Sequence, residues 1–83
     1  MTVKNTLKQR QKTHGNFDTH AVISQKLKLV MREHGLEHLA FDQIEALEMI
    51  AHKIARILNG NPDYHDHWHD IAGYSTLVAD NLE

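Results

Sequence analysis

Acidic and histidine side chains recur at helical spacing in the C-terminal half of this 83-residue chain. Glu45, Glu48, His52, Arg56 and Asn59 follow one another at steps of 3, 4, 4 and 3, which places them on one side of a helix. Because the rest of that helix is apolar, we expect this polar row to face another helix or a cleft. A solvated face of an ordinary amphipathic helix is the alternative interpretation.

A second acidic row follows the turn Asn59–Pro62. Counting back from the turn and forward from Asp63 places His52 level with Asp70, so the two rows can run side by side. Oxygen ligands of this kind favour Mg²⁺ or Mn²⁺ over zinc. We therefore predict that Glu48 faces Asp70 and that four carboxylates form a metal site around an auxiliary His52: Glu45, Glu48, Asp66 and Asp70.

Two further features of the predicted third helix bear on a site. Gly73 lies inside a helical pattern, where glycine costs about 1 kcal/mol relative to alanine, so we expect a close neighbour or a ligand there. His65 and His69 stand one turn apart and could chelate zinc, although a complete zinc site needs a third protein ligand. Zinc is therefore the rival metal interpretation.

The elements that position these rows are helices. Apolar residues at 3-and-4 spacing predict helices over residues 17–34, 42–59 and 63–82, with Asp42 and Asp63 as N-caps and Glu45 as the reciprocal partner of Asp42. Residues 1–16 form a basic N-terminal arm, with at most a short helix over residues 3–12. The sequence predicts an all-α, three-helix domain spanning residues 17–83, in which one face of the third helix carries Tyr64, Trp68, Ile71, Ser75, Val78 and Leu82.

Composition limits the class of protein. The chain has no cysteine and one proline, and its 24% charged residues are too many for a membrane span, so we expect no membrane association and a cytoplasmic location. A core of this size rarely supplies more than about 3–5 kcal/mol, so we expect a homodimer that completes a helical bundle. Residues 1–32 hold seven cations against one aspartate, whereas residues 33–83 hold two cations against ten carboxylates.

Residues 45–78 resemble a group of small phage and prophage proteins of unknown function. The shared pattern is a D-I-A-G-Y helix after K-I-A-R-I and an N-G-[N/D]-P turn, and the arm residues Arg10, His14, Gly15 and Phe17 resemble the group's R…[Y/H]-G-x-F opening. Further out, the chain is similar to the MazG-like all-α nucleoside triphosphate pyrophosphatases. Glu45-x-x-Glu48 matches that family's first metal motif, whereas Asp66 and Asp70 are four positions apart where the family has three.

The resemblance implies a Mg²⁺-dependent hydrolysis between the α and β phosphates, or a nucleotide-binding descendant of such an enzyme. In it, Glu48 orients the attacking water, and Lys53, Arg56 or cations of the basic arm neutralise the phosphates. Lys53 would act from across a subunit boundary. His14 and Trp68 would stack on the base. A host cytoplasm would be the location of a phage-encoded protein.

A non-enzymatic function is the alternative. Under that hypothesis the chain is a helical interaction module that binds a protein partner, or nucleic acid through its basic arm. Nucleic acid is the weaker of these two partners, because the acidic half of the chain repels it.

Overall fold

Four α-helices and one 3-10 turn make up the chain in a computed structural model that describes residues 2–83. The helices are α1 (Val3–His14), α2 (Phe17–Glu33), α3 (Phe41–Asn59) and α4 (His65–Asn81), and the 3-10 turn covers Leu36–His38. The all-α prediction is confirmed. No strand is present among the residues that the structure describes.

The arm contains a further helix, α1, which extends the short helix allowed over residues 3–12 as far as His14 and precedes the three helices of the predicted domain. Thr2 caps α1, since its hydroxyl oxygen accepts a hydrogen bond from the backbone N–H of Asn5 at 3.2 Å. Gly15 then ends α1 with φ +82°, a conformation that side chains disfavour. No residue of α1 is buried, so its apolar pattern was too weak to predict a full helix.

The boundaries of α3 and α4 differ from the predicted caps. Ala40 is the N-cap of α3, where its N–H donates to the side-chain oxygen of Gln43 at 3.0 Å, and Asp42 lies inside the first turn. Tyr64 is the N-cap of α4, because the preceding turn is organised by Asn61, whose side-chain oxygen accepts the N–H of Asp63 at 3.0 Å. Glu45 is exposed, with no capping role. The side chains of Gln43 and Asn61 therefore accept the backbone hydrogen bonds at these helix starts, where Asp42 and Asp63 were predicted as N-caps.

Helix α3 is the centre of the molecule and packs against α2 on one side and α4 on the other. Three of its buried residues are alanines, Ala46, Ala51 and Ala55, whose small side chains let the neighbouring helices approach closely. Leu36 is the remaining buried apolar residue. The internal core is small, as the length of the chain predicts.

The junction of α1 with the rest of the chain is a contact between backbones. The carbonyl oxygen of Thr13 accepts the N–H of Asn61 at 3.1 Å and also a ring nitrogen of His67 at 2.8 Å. A β-carbon at Gly60 would overlap that carbonyl oxygen and stand 2.6 Å from the carbonyl carbon of His14. The end of α1 therefore packs directly against the backbone of Gly60, and only glycine leaves room for this contact.

None of the helices in residues 2–83 combines the length and the apolarity that a membrane-spanning helix needs.

Candidate functional site

The polar row of α3 does face another helix, but that helix is α2. The ring of His52 lies against the middle of α2, where it meets the side chains of His20, Ser24 and Lys28. Lys53, the next residue, faces α4 instead. Counting residues along the helix axis predicted the level of His52 relative to Asp70. It could not predict whether the His52 ring would contact α2 or α4.

A chain of hydrogen bonds sets the tautomer of His52. The ammonium of Lys28 can only donate, so the Nε2 of His52, 3.0 Å away, accepts. The Nδ1 of His52 then carries the proton and faces the Nε2 of His20 at 3.2 Å and the buried Oγ of Ser24 at 3.3 Å. Burial, and next the charge of Lys28, lowers the pKa of His52, so its ring is neutral at pH 7.

The four predicted metal carboxylates do not share a cleft. Glu48 lies 4.0 Å from the ammonium of Lys28 on the α2 side of α3, Asp66 lies 3.5 Å from its neighbour His65, and Glu45 is exposed. Residues 2–83 contain no group of three or more histidine, aspartate or glutamate side chains placed to hold a metal. The expectation that Glu48 faces Asp70 is corrected, because the two lie on different sides of α3.

Asp70 and Lys53 form the ion pair of the α3–α4 hairpin. The Nζ of Lys53 donates to the Oδ2 of Asp70 at 2.8 Å, and this hydrogen bond lowers the pKa of the Asp70 carboxyl. Lys53 is 7% exposed, so its stem fills part of the interface while its ammonium reaches the carboxylate. Lys53 is thus committed to α4 within its own chain, and the phosphate-binding role expected across a subunit boundary is not supported by its position.

Gly73 has no close neighbour within the chain. A β-carbon there would meet no atom within 4 Å, so no internal contact explains the glycine. We expect Gly73→Ala to raise the stability of the domain by about 1 kcal/mol, since alanine is the better helix former. Thermal unfolding should show an increase in Tm of about 4–8 °C for a domain of this size. A decrease would indicate that the position requires glycine for a reason outside the chain.

The remaining predicted residues of α4 are exposed. Trp68 is 55% exposed, and its indole N–H donates to the carbonyl of Pro62 at 2.7 Å, so it neither joins a core nor stacks near the arm. His65 and His69 stack at 5.4 Å on the surface without a third ligand among the described residues. His67, which the sequence analysis left aside, is the buried histidine at 1% exposure.

A concave pocket of about 360 Å³ opens where α1, α2 and α3 meet. Its walls come from the C-terminal half of α1, the Gly15 turn, the first turn of α2 and the last turns of α3. The lining residues are Leu7, Arg10, Gln11, His14, Gly15, Phe17, His20 and Arg56.

Positive charge is the main electrostatic feature of this pocket. Two arginines, Arg10 and Arg56, line it, and no carboxylate oxygen within residues 2–83 lies within 4.0 Å of either guanidinium. Burial and the neighbouring Arg10 lower the pKa of Arg56, which remains charged at pH 7. Burial, followed by Arg56, lowers the pKa of His14 to about 4. At neutral pH the pocket therefore holds two fixed positive charges and neutral imidazoles.

Aromatic rings supply the other wall of the pocket. Phe17 is 75% exposed, and its ring lies nearly parallel to that of His20 with centroids 6.4 Å apart. The His20 ring is in turn stacked on His52 at 5.5 Å. His14 is held edge-on against buried His67 at 5.1 Å. The pocket thus combines planar apolar faces with hydrogen-bond donors, an arrangement suited to a planar ligand that carries negative charge.

Comparison with known protein families gives a match that covers every helix described above. The family described as Domain of unknown function (DUF6378) matches residues 2–82. The chain belongs to the DUF6378 family. Neither the comparison with curated proteins nor that with solved structures found a match for this DUF6378 domain.

The sequence singled out some residues of this pocket of the DUF6378 domain but did not place them together. Arg10, His14, Gly15 and Phe17 were named from the resemblance of the arm to a family motif, and Arg56 was named from the polar row of α3. Sequence reasoning missed His20, whose signal is the spacing of His20, Ser24 and Lys28 at steps of four along one face of α2. That polar row on α2 is the counterpart of the row on α3, and pairing the two rows would have placed His52 correctly.

Proposed function

We propose that this DUF6378 domain binds a phosphorylated ligand of the nucleotide class in the pocket between α1, α2 and α3. The observation that carries the proposal is the pair of arginines, Arg10 and Arg56, that line one cavity without a carboxylate partner. Arg56 is half-buried and Arg10 is exposed. A half-buried cation is normally paired, so an unpaired one beside a second cation in a concave site is suited to an anion.

The chemistry of the pocket matches the parts of a nucleotide. Guanidinium groups bind phosphate oxygens through paired hydrogen bonds, and Arg56 stands near Arg10, so one diphosphate can engage both. The exposed ring of Phe17 offers a face on which a base can stack. His14 and His20, neutral at pH 7, can each donate one hydrogen bond without adding charge.

Catalysis is the further part of the proposal. The resemblance to MazG-like pyrophosphatases implies that Mg²⁺ is held by Glu45, Glu48, Asp66 and Asp70, with Glu48 orienting the water. Within one chain these residues do not fit a shared ion, because Glu48 and Asp70 are on different sides of α3 and each lies beside a lysine. The arrangement therefore favours a nucleotide-binding descendant over an active Mg²⁺ enzyme, of phage or prophage type and acting in the host cytoplasm.

Calorimetric titration with inorganic pyrophosphate, and then with a panel of deoxynucleoside triphosphates, tests the binding proposal. We expect binding without added metal and a loss of affinity of about 10-fold or more in Arg56→Gln, since charged hydrogen bonds contribute about 1.5–3 kcal/mol each. Arg32→Gln is the matched control, because Arg32 is exposed in the last turn of α2, away from the pocket. Equal affinities for both variants would place the anion elsewhere and refute the proposal.

Added Mg²⁺ separates the enzyme from the binding descendant. Release of pyrophosphate that requires Mg²⁺ and disappears in Glu48→Gln would establish the enzymatic form. Nucleotide binding with neither release nor a Mg²⁺-dependent increase in Tm at millimolar concentration would establish the binding form.

A non-enzymatic interaction through the basic arm is the second candidate. Lys4, Lys8 and Lys12 recur at steps of four and are all exposed, so α1 presents a basic row to solvent. This row could contact an acidic protein or the phosphates of nucleic acid. Binding of an oligonucleotide that weakens steeply with salt and is lost when these three lysines become glutamine would favour this function. We also propose the homodimer that the small core leads us to expect.

A further inference from the structure

One side of the molecule is apolar and uncovered. On α3, a stripe at steps of 4, 3, 4 and 4 contains no charged residue: Gln43, Leu47, Ile50, Ile54 and Leu58. Leu47 and Leu58 are 38% and 69% exposed, and the other three residues are half-buried. The stripe stands about 160° from Arg56 around the helix axis, so it lies on the side opposite the cationic pocket.

Helix α4 carries a parallel stripe beside it. Its members recur at steps of 4, 3, 4 and 3, all are exposed, and none is charged: Trp68, Ala72, Ser75, Ala79 and Leu82. Three of the five are small, so the centre of this stripe is a shallow channel. Trp68, Ser75 and Leu82 were expected to share a face of this helix with Tyr64, Ile71 and Val78, and that face is divided, because the latter three are half-buried and the former three are exposed. No part of residues 2–83 covers the exposed side.

A groove of about 340 Å³ joins the two stripes. Its lining contains no charged side chain: Leu39, Gln43, Ala46, Leu47, Ile50, Ser75 and Val78. The α4 stripe repeats every seven residues throughout, and the α3 stripe does so from Gln43 to Ile54 before a step of four to Leu58. Seven residues is the period of helices that pack side by side at about 20° in bundles.

The chain exposes more surface than a compact monomer of its mass would expose. A compact monomer of 9.6 kDa should expose about 5,100 Å² by the scaling of surface with mass, whereas this chain exposes 6000 Å². Both the uncovered groove and α1, which buries no residue, contribute to this excess, and an interface of standard size removes roughly 800 Å² from each partner. The structure also has an elongated shape of 42 × 26 × 22 Å, which a second copy packed along its side would make compact.

We infer that a second copy of this chain covers the groove, with the α3 stripe of each copy packed into the α4 stripe of the other around a two-fold axis. The two stripes are complementary in size, because the large side chains on α3 meet the small ones on α4. A two-fold axis makes both contacts at once, so one uncharged surface serves as both halves of the interface. The acidic residues of the two copies stay outside it. Both cationic pockets face outward in the dimer.

Sedimentation equilibrium tests this inference on the full chain. We expect a dimer at micromolar concentration for the unchanged protein and a monomer for Ala72→Glu, which adds a charge to the centre of the α4 stripe. Ala72 is exposed in the single chain, so the substitution leaves the fold of the monomer intact. Leu47→Glu should act in the same way from α3.

Leu77→Glu is the matched control. Leu77 is 66% exposed on the side of α4 that faces away from the groove, so its variant should remain a dimer. Arg56→Gln should also remain a dimer, which separates this inference from the nucleotide proposal. A monomeric unchanged protein at 100-fold higher concentration, or dimeric Ala72→Glu, would overturn the inference. Dissociation by Leu77→Glu but not by Ala72→Glu would assign the interface to the other side of α4 and refute it too.

Discussion

Gly60→Ala is expected to detach α1 from the hairpin and to abolish the cationic pocket. The new β-carbon would overlap the Thr13 carbonyl oxygen and stand 2.8 Å from the backbone nitrogen of Gly15. These are backbone atoms fixed at the end of a helix, so no side chain can move aside to make room. The carbonyl of Thr13 would then lose its bonds to the Asn61 N–H and the His67 ring.

We expect a loss of stability of about 1–3 kcal/mol, the usual cost of overpacking, and a fall in Tm. Pyrophosphate binding should be lost with it, because Arg10 would leave the pocket. Gly73→Ala is the matched control, since the same methyl group enters open space there and should raise the Tm. Unchanged stability and binding in Gly60→Ala would contradict the account of how α1 is held.

Acidification should destabilise the domain over the range from about pH 6.5 to pH 4. Burial lowers the pKa of His14 to about 4 and also lowers the pKa values of His20 and His52 from the usual 6.5. The unfolded chain binds protons at these rings as the pH falls through 6.5, whereas the folded chain does not, so proton uptake favours unfolding. The penalty is complete once the pH is below the folded pKa values.

Urea unfolding at pH 7 and at pH 4.5 measures this effect. His52→Gln keeps hydrogen-bonding capacity at the centre of the cluster but cannot titrate, so its stability should fall less on acidification. His38→Gln is the matched control, because that side chain is 82% exposed and should leave the pH dependence unchanged. The Asp70 carboxyl, whose pKa is lowered by Lys53, loses its contribution only as the pH falls below about 4, outside this range. Equal stability at the two pH values would contradict the burial of the histidines.

The sequence predicted the helices well where apolar spacing was strong, as in α2 and α3. It underestimated α1, since no side chain of that helix is buried and its position depends on a backbone contact at Gly60. A glycine such as Gly60 is common in turns, so the sequence pattern did not indicate that the end of α1 packs against its backbone. The ends of α3 and α4 differed because Gln43 and Asn61 supplied the local hydrogen bonds.

The candidate site was predicted in its residue types but not in its arrangement. A helical wheel shows which residues share a face, as it did for Glu48, His52 and Arg56, but not which neighbouring helix that face meets. The orientation of α3 is explained by Lys53, whose stem packs on the α4 side and whose ammonium lies 2.8 Å from the Asp70 carboxylate. With Lys53 turned to α4, His52 had to face α2. Such a choice depends on how two side chains pack in three dimensions, and spacing along the chain does not contain it.

We expect the pocket to exist in an equilibrium between a form with α1 docked and a form with α1 released. No residue of α1 is fully buried, and its contacts with the hairpin centre on the Thr13 carbonyl and the His14 ring, so α1 is expected to separate from α3 while the rest of the domain stays folded. Only the docked form presents Arg10 beside Arg56, so the observed dissociation constant of any anion equals the intrinsic one divided by the docked fraction. Ligand binding in the pocket should accordingly slow amide hydrogen exchange throughout α1 and leave exchange in α3 and α4 unchanged. Because α1 also carries the exposed lysine row, binding of the ligand would change how that row is presented to a partner.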